Sequence, residues 1–422
     1  MAVLLKNGTF IDWKTLEFTK TDIKVLTQKP YLQFSENYFP EANDTVIDCT
    51  NLFITRSLAN GHHHSYLQLL PGMPGNAKKG VTFYENMRNT WWHLDENLDE
   101  ESLKAAALLS AIKSVKSGTT MVFDHHSSPN FITGSLHIIK QAYEQIGISV
   151  LPSFEISNRL NNNQISEALD YTAQFGTHHK CLIGINASFT TDNEILSTAV
   201  QLMEKTDSGI HIHAAEDELD QQLCLRDYKV RVLKRLLDAG VLKTTKTILA
   251  HAVHLNDNEK SIFHNSVAYI AQCTESNMYK NVGLFNSEWL GDKIFMGTDG
   301  LHCNMLQAFK QTYLSGIATD NATLEKTYQK LRTIHQYTTD NLIPGDQLNN
   351  LMVFTFDQNT ALLKNSYLEQ LFFNMEACNI EHVIANGLPV LLNKKLVNCN
   401  ENEIIDYCNT QMEKFHSKLK SK

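Results

Sequence analysis

The chain has 422 residues, 42% of them hydrophobic and 20% charged, with a formal net charge of −9. That length suits one large domain with a small companion, and the negative balance argues against a nucleic-acid-binding face. No apolar run approaches the roughly 18 residues that span a bilayer, and the start "MAVLLKNGTF" lacks a signal-peptide pattern, so a cytoplasmic protein without membrane partners is expected.

In chain order, the first fifty residues alternate apolar and polar positions between turn signals, in "AVLLKNGTFID", "TDIKVLTQ" and "DTVIDCTN". That pattern predicts short strands of a small β domain. From Leu52 onward, short apolar runs alternate with helix-period stretches. The runs are "LFITRSLA" (52–59), "TTMVF" (119–123), "ISVLPSFEI" (148–156), "CLIGINA" (181–187), "GIHIH" (209–213), "TILAH" (247–251), "VAYIA" (267–271) and "KIFMGT" (293–298). Between them, "ESLKAAALLSAIKSVKSG", "GSLHIIKQAYEQIG", "NEILSTAVQLMEKT" and "KVRVLKRLLDAG" read as amphipathic helices, each with a Gly or polar stop.

Eight strand–helix units imply an α/β fold, a (β/α)8 TIM barrel. A doubly wound open sheet is the alternative, but no Gly-rich phosphate fingerprint follows the first run. After Pro344 β-like runs return as "LMVFTF", "HVIANGLPVLL" and "KLVN". Residues 1–55 and 345–398 are therefore expected to form one small β-sandwich domain from both chain ends. Residues 56–344 form the barrel, and 399–422 a C-terminal helix. The eight cysteines are scattered without a Cys-x-x-Cys pair, which reads as reduced and mostly buried thiols.

In a (β/α)8 barrel the chemistry sits at the C-terminal ends of the strands, and there the ionisable residues collect. The first run ends in His62 and His64, which share a side because strand side chains have period two, while His63 points the other way. The second ends in Asp124, His125 and His126, and the fifth in "HIHAAED", with His211, His213 and Glu216. The sixth ends in His251 and the eighth in Asp299. One histidine at a strand end is usually a hydrogen-bonded structural residue. Imidazoles and a carboxylate at the ends of four strands point instead to a metal site, suited to Zn²⁺ and also to Fe²⁺ or Mn²⁺.

This ordered set resembles the amidohydrolase superfamily, in its deaminase and chlorohydrolase branch and most of all the SsnA-like aminohydrolases. The segments that carry the resemblance are "NTWWHLDENLDEES", "SGTTMVFDHHSSP", "FEISNR", "ASFTTDNEIL", "HIHAAEDELD", "ILAHAVHLNDNE", "ESNMYKNVG" and "GTDG". It implies that His62, His64, His213 and Asp299 ligate one divalent metal, with His251 binding the metal or contacting its water. It also implies that Glu216 shuttles protons, although an acid at a helix start has a purely structural reading as well. The fourth run, "LIGINASF", offers no Lys to bridge a second ion, which favours one metal. Three departures stand out: Arg56-Ser57 for the usual Pro-Gly, Gln272-Cys273-Thr274 for His-Asn-Pro, and Asn349-Asn350 for Ala-Asp.

Candidate substrate contacts are Trp92 beside Trp91, His125, His126, Glu275, Asn277 and His302. Arg159 is another, its planar fork suited to an anionic group, unless it pairs with Glu155. The function expected is metal-dependent hydrolysis of a non-peptide C–N bond, the deamination of a small aminated heterocycle of purine, pteridine or pyrimidine type by metal-activated hydroxide, with catalytic roles for Glu216, His251 and Asp299. A ring-opening cyclic amidohydrolase and an inactive scaffold are the alternatives. A homodimer is compatible with the sequence.

Overall fold

The computed structural model describes residues 2–27, 29–73, 82–356 and 366–420. Residues 357–365 of the small domain and 421–422 of the expected C-terminal helix lie outside the described residues. The first five strands are β1 (Ala2–Ile11), β2 (Phe18–Leu26), β3 (Leu32–Ser35), β4 (Thr45–Asp48) and β5 (Phe53–Arg56). They are joined by β14 (Leu351–Phe354), β15 (Ile380–Ala385), β16 (Leu388–Leu392) and β17 (Lys395–Leu396) in one mixed sheet. Both chain ends thus build a single companion sheet, with Val3, Leu5, Ile23, Val353 and Ile384 in its core.

The barrel strands are β6 (Leu58–His63), β7 (Thr119–His126), β8 (Ser149–Ile156), β9 (Leu182–Ala187), β10 (Ile210–Ala214), β11 (Ile248–His251), β12 (Tyr269–Gln272) and β13 (Ile294–Met296). They pair in parallel in chain order. Most of their residues are buried, as expected when helices cover one face and the barrel interior the other. The run 52–59 differs from its reading as one strand. Its backbone changes partners at Ser57, whose N–H donates to Asn350 O at 3.1 Å, while Leu58 N–H donates to Gly118 O at 2.8 Å. The first half therefore belongs to the companion sheet and only the second to the barrel. The stretch 229–240 also differs: a left-handed Lys229 (φ 63°) ends the helix Glu218–Tyr228, and the next runs only from Val232 to Ala239.

The barrel closes where β13 meets β6. Thr298 and Asp299 N–H both donate to His62 O at 3.0 Å, and the Asn60 amide bonds Thr298 at 2.7 and 3.2 Å. Gly297 permits this approach, because a Cβ there would lie 2.8 Å from the backbone N and O of His62. At the N-terminal end of the barrel, Ala59, Phe123, Leu182, Ile248, Tyr269 and Phe295 form an apolar plug, each large side chain contributing about 1.5–3 kcal/mol by burial. The polar layer sits above it.

The helix Glu100–Lys116 is capped by Asp99, which accepts from Ser102 N–H at 3.0 Å, and carries acids in its first turn and lysines in its last. The C-terminal helix Glu401–Lys420 packs on it, with Cys408 Sγ 3.4 Å from Ala105 O and Tyr407 Oη 2.8 Å from Glu101. All eight cysteines are unpaired, five of them buried. No helix among the described residues is long and apolar enough to cross a membrane.

Candidate metal centre and cleft

Four imidazoles converge above the plug, and each has its Nδ1 engaged. His64 Nδ1 donates to His125 O at 2.5 Å and His213 Nδ1 to Asn186 O at 2.7 Å. His251 Nδ1 meets Asn277 Oδ1 at 2.7 Å, and His62 Nδ1 meets His211 Nε2 at 2.8 Å. Where Nδ1 carries the proton, Nε2 is a bare lone pair, and outer partners of this kind orient metal-binding histidines. The Nε2 atoms of His62 and His64 each stand 3.0 Å from Asp299 Oδ1, and that of His251 stands 3.8 Å away. Ligand atoms of His62, His213, His251 and Asp299 all lie within 4.8 Å of one another.

Two features show that a cation fits here. His64 Nε2 and His213 Nε2 face each other at 3.2 Å although both Nδ1 protons are committed to carbonyl oxygens, so a positive charge is required between them. His251 Nε2 is buried without a hydrogen-bond partner, an orphan that needs a ligand. Burial, reinforced by neighbouring imidazoles, holds His213 down at about 3 and His62 well below the usual histidine range. For His64 burial opposes protonation, but the Asp299 carboxylate outweighs it and raises the value. An ion displacing that proton from His64 would leave neutral imidazoles and an ionised carboxylate, the forms that bind a divalent ion.

The backbone is strained at this layer. His251 (φ 71°), Asp299 (φ 52°) and Ala215 (φ 49°) all occupy the left-handed region, at about 1–2 kcal/mol per residue. The turn at Ala215 carries Glu216 into a cleft lined also by His64, His213 and Asp299. Glu216 Oε1 lies 3.6 Å from His251 Nε2 and 2.7 Å from Lys280 Nζ. Lys280 Nζ reaches Asp299 Oδ2 at 2.7 Å as well, and the Ser276 hydroxyl donates to the same oxygen. Burial works against ionisation of Glu216 and Asp299, yet His251 and Lys280 bring both carboxyls below their ordinary values. The same two carboxylates overcome burial at Lys280 and hold it cationic.

Residues 53–339 match the model of the Amidohydrolase family. The chain belongs to the amidohydrolase family. A 5-methylthioadenosine/S-adenosylhomocysteine deaminase of Syntrophomonas wolfei subsp. wolfei is 24% identical over 380 residues, 86% of each chain. A 5'-deoxyadenosine deaminase of Methanococcus vannielii is 28% identical over 281 residues, 61% of each. Among solved structures, an adenosine deaminase from Xanthomonas campestris with bound zinc has a TM-score of 0.83 at 14% identity, covering 100% of this chain and 99% of that one. The atrazine chlorohydrolase TrzN from Arthrobacter aurescens TC1, complexed with zinc, scores 0.82 at 16% identity, covering 97% and 100%. These likenesses show a shared fold.

Within this amidohydrolase barrel the expected substrate contacts separate. Trp92 lines the cleft. Arg159 does not present a free fork: it grips Asp95 with two bonds at 2.7 and 2.8 Å and lies 4.6 Å over the Trp92 ring. Its approach to Glu155 is long, at 3.8 Å. His125 sits behind the ligand layer, with Nε2 shared between Ile185 O and His211 O at 3.2 and 3.1 Å. His126, on the opposite face of β7, bonds Ser128 Oγ at 2.8 Å. Glu275 is occupied by His302 and by Gln307, and His302 faces a neighbouring cleft beside Lys280. Asn277 is spent on His251. His125, His126, Glu275 and Asn277 are therefore held by protein partners outside the cleft lining. The departing triplet 272–274 also stays outside it, Gln272 bonding Thr274 and Lys330. His63 is turned away onto Thr298 and Ser110 at 3.0 and 2.8 Å.

Two residues at the centre escaped the sequence reading in these roles. His211 stood among the strand-end histidines, but its bond to His62 was not foreseen. Lys280 closes the helix Thr274–Lys280, where a lysine ordinarily serves the helix C-terminus. Its position just after β12, on the catalytic face of the barrel, was the available signal.

Proposed function

We propose that the protein is a metal-dependent aminohydrolase that removes the amino group of a small heterocycle of purine, pteridine or pyrimidine type and releases ammonia. The observation that carries this reading is the set of four imidazoles with Nδ1 engaged and Nε2 aimed at the region of Asp299, with Glu216 beside them in the cleft. The deaminases among the relatives and the zinc in the solved neighbours support it. His62, His64, His213 and Asp299 would hold one ion, zinc being the best match to three imidazoles and a carboxylate. When bound, that ion supplies Lewis acidity and lowers the pKa of a water molecule from 15.7 towards about 7.

The chain's own residues do the rest. His251 Nε2 accepts a hydrogen bond from the attacking water and orients it towards the carbon that bears the amine. Asp299 receives a proton from that water. Glu216, ionised at rest, takes the other proton of the water and gives it to the ring nitrogen beside the attacked carbon. The proton held by Asp299 leaves with the amine as ammonia, and general acid–base groups speed such transfers by about 10²–10⁴-fold. The sum is water plus a C–NH₂ heterocycle giving the oxo compound and ammonia. Lys280 keeps both carboxylates ionised until substrate arrives. Trp91, Trp92 and Phe189 offer flat apolar surface to the ring.

The test is ammonia release from a panel of aminated purines, pteridines and pyrimidines by the zinc-reconstituted protein, with products read by mass spectrometry. Exchange of the amino group for oxygen, with stoichiometric ammonia, is expected. A ring-opened product without ammonia favours a cyclic amidohydrolase, and no turnover by fully metallated protein contradicts both.

A further inference from the structure

Glu155, near the C-terminal end of β8, is a cleft carboxylate that the reaction above leaves unused. Its side chain is 5% exposed and lines the same cleft as His213 and Glu216. Among the described residues it accepts no hydrogen bond. The nitrogens that approach it are His125 Nδ1 at 3.6 Å and Arg159 Nη1 at 3.8 Å, beyond hydrogen-bond reach.

The other acids of the cleft are provided for. Asp95 takes the Arg159 fork and the Ser127 hydroxyl. Asp220 takes the N–H groups of Phe189 and Ala215, and Asp217 caps Leu219 N–H. Glu216 and Asp299 share Lys280. His125 cannot serve Glu155 while its Nε2 proton is committed to Ile185 O and His211 O, because Nδ1 is then a second bare acceptor, and it too is buried without a partner. Glu155 thus has a charged neighbour in Arg159 but no hydrogen bond, and its position in the cleft lining leaves the carboxylate open to a donor from outside the chain.

We propose that Glu155 is the substrate-reading group of the cleft and accepts a ring N–H of the heterocycle, on the side away from the departing amine. The proposal rests on the aminohydrolase reading of the same site. Proximity selects ring N–H over a more distant donor. A ring nitrogen of His125 lies within 4.8 Å of ligand nitrogens of His64 and His213, and Glu155 stands against that same imidazole. The carboxylate is therefore separated from the metal centre by no more than the His125 ring and its two contacts. A flat one- or two-ring base spans such a gap, whereas the hydroxyls of an attached sugar extend past it. Tyr66, whose hydroxyl makes no hydrogen bond among the described residues, lines the cleft too and offers a second polar contact to the ring edge.

The test is calorimetric binding to the zinc-loaded full chain, using adenine, guanine and pterin against their ring-N-methylated counterparts, with the purine ribosides as a third arm. Glu155→Gln and Glu155→Asp are measured in parallel, with melting temperature and zinc content as checks on folding. At least one free base is expected to bind tenfold or more tightly than its methylated counterpart. Glu155→Gln should erase that ratio while leaving affinity for the methylated compound unchanged, and Glu155→Asp should retain part of it. Equal binding of N–H and N-methyl compounds by the unsubstituted protein overturns the proposal, whatever the variants do. So does a ratio that survives Glu155→Gln, absence of binding across the panel, or a Glu155-dependent preference for the ribosides. Ammonia release measured on the same samples separates the two claims. Ammonia without a Glu155-dependent N–H preference sinks this inference alone, and the preference without ammonia sinks the aminohydrolase reading alone.

Discussion

The two walls of the cleft handle charge in opposite ways. On the metal side, four imidazole nitrogens converge near the Asp299 carboxylate, which Lys280 answers from one side only, and the proposed ion would complete the wall. On the far side, Arg159 answers Asp95 within the protein, stacked on Trp92. One wall is built to bind and the other to stand still. The difference teaches that a charged residue in a cleft is informative only once its partner is known. Arg159 looks like a substrate fork and is a strut that grips Asp95 closely and meets Glu155 only at the longer ion-pair distance of 3.8 Å.

Removing the acid on the metal side should have the largest effect. Asp299→Ala is expected to lose bound zinc and to cut turnover by about three orders of magnitude or more, read by metal analysis and ammonia assay. Full zinc occupancy in that variant would break the contrast between the walls. Next comes the strut. Arg159→Ala strands a buried Asp95 and should cost about 3–5 kcal/mol of stability with zinc content unchanged. A variant that melts like the parent would mean the far wall is not held by this pair.

His211 tests how far the metal wall extends. His211→Ala removes the partner of His62 Nδ1 and should weaken zinc affinity about 10–100-fold against a competing chelator, while the far wall keeps its shape. An unchanged affinity would confine the wall to its inner residues.

The smallest effect is on pH dependence of the metal-free protein. Burial holds His63, His126 and His213 at about 3 and pushes His62, His125 and His211 down as well. Their folded values lie below the unfolded 6.5, so the unfolded chain takes up protons first and stability falls as pH drops from about 6.5 towards 3. Burial raises Asp95 and Asp124 to about 6 and Asp220 to about 7, which opposes this trend because those groups gain protons in the folded state. The lowered histidines outnumber the raised acids and the one raised histidine, His64, so the melting temperature should fall from pH 7 to pH 5. A flat or rising melting temperature would contradict that balance.

The convergence of the strand-end histidines and Asp299 was readable in the sequence because strand geometry encodes it. Period two separates His62 and His64 from His63, and barrel order puts His213, His251 and Asp299 at neighbouring strand ends. All eight apolar runs contribute barrel strands for the same reason, since a strand buried on both faces leaves an unbroken apolar stretch. The far wall was not readable. Asp95 and Arg159 meet across 64 residues, and nothing in local spacing tells that partnership from the rival one with Glu155. Asn277 and His125 were assigned to substrate for a related reason: sequence places them on the catalytic face but does not show which side-chain atoms are already engaged. Lys280 was hidden by a helix-end position that has its own ordinary explanation.

The central claim is that zinc and Glu216 act together on the amine-bearing carbon. It is tested most directly by comparing ammonia release by Glu216→Gln and the unsubstituted protein at equal measured zinc content. The account predicts a fall of about 10²–10⁴-fold with zinc retained. Near-full activity of zinc-loaded Glu216→Gln would contradict it.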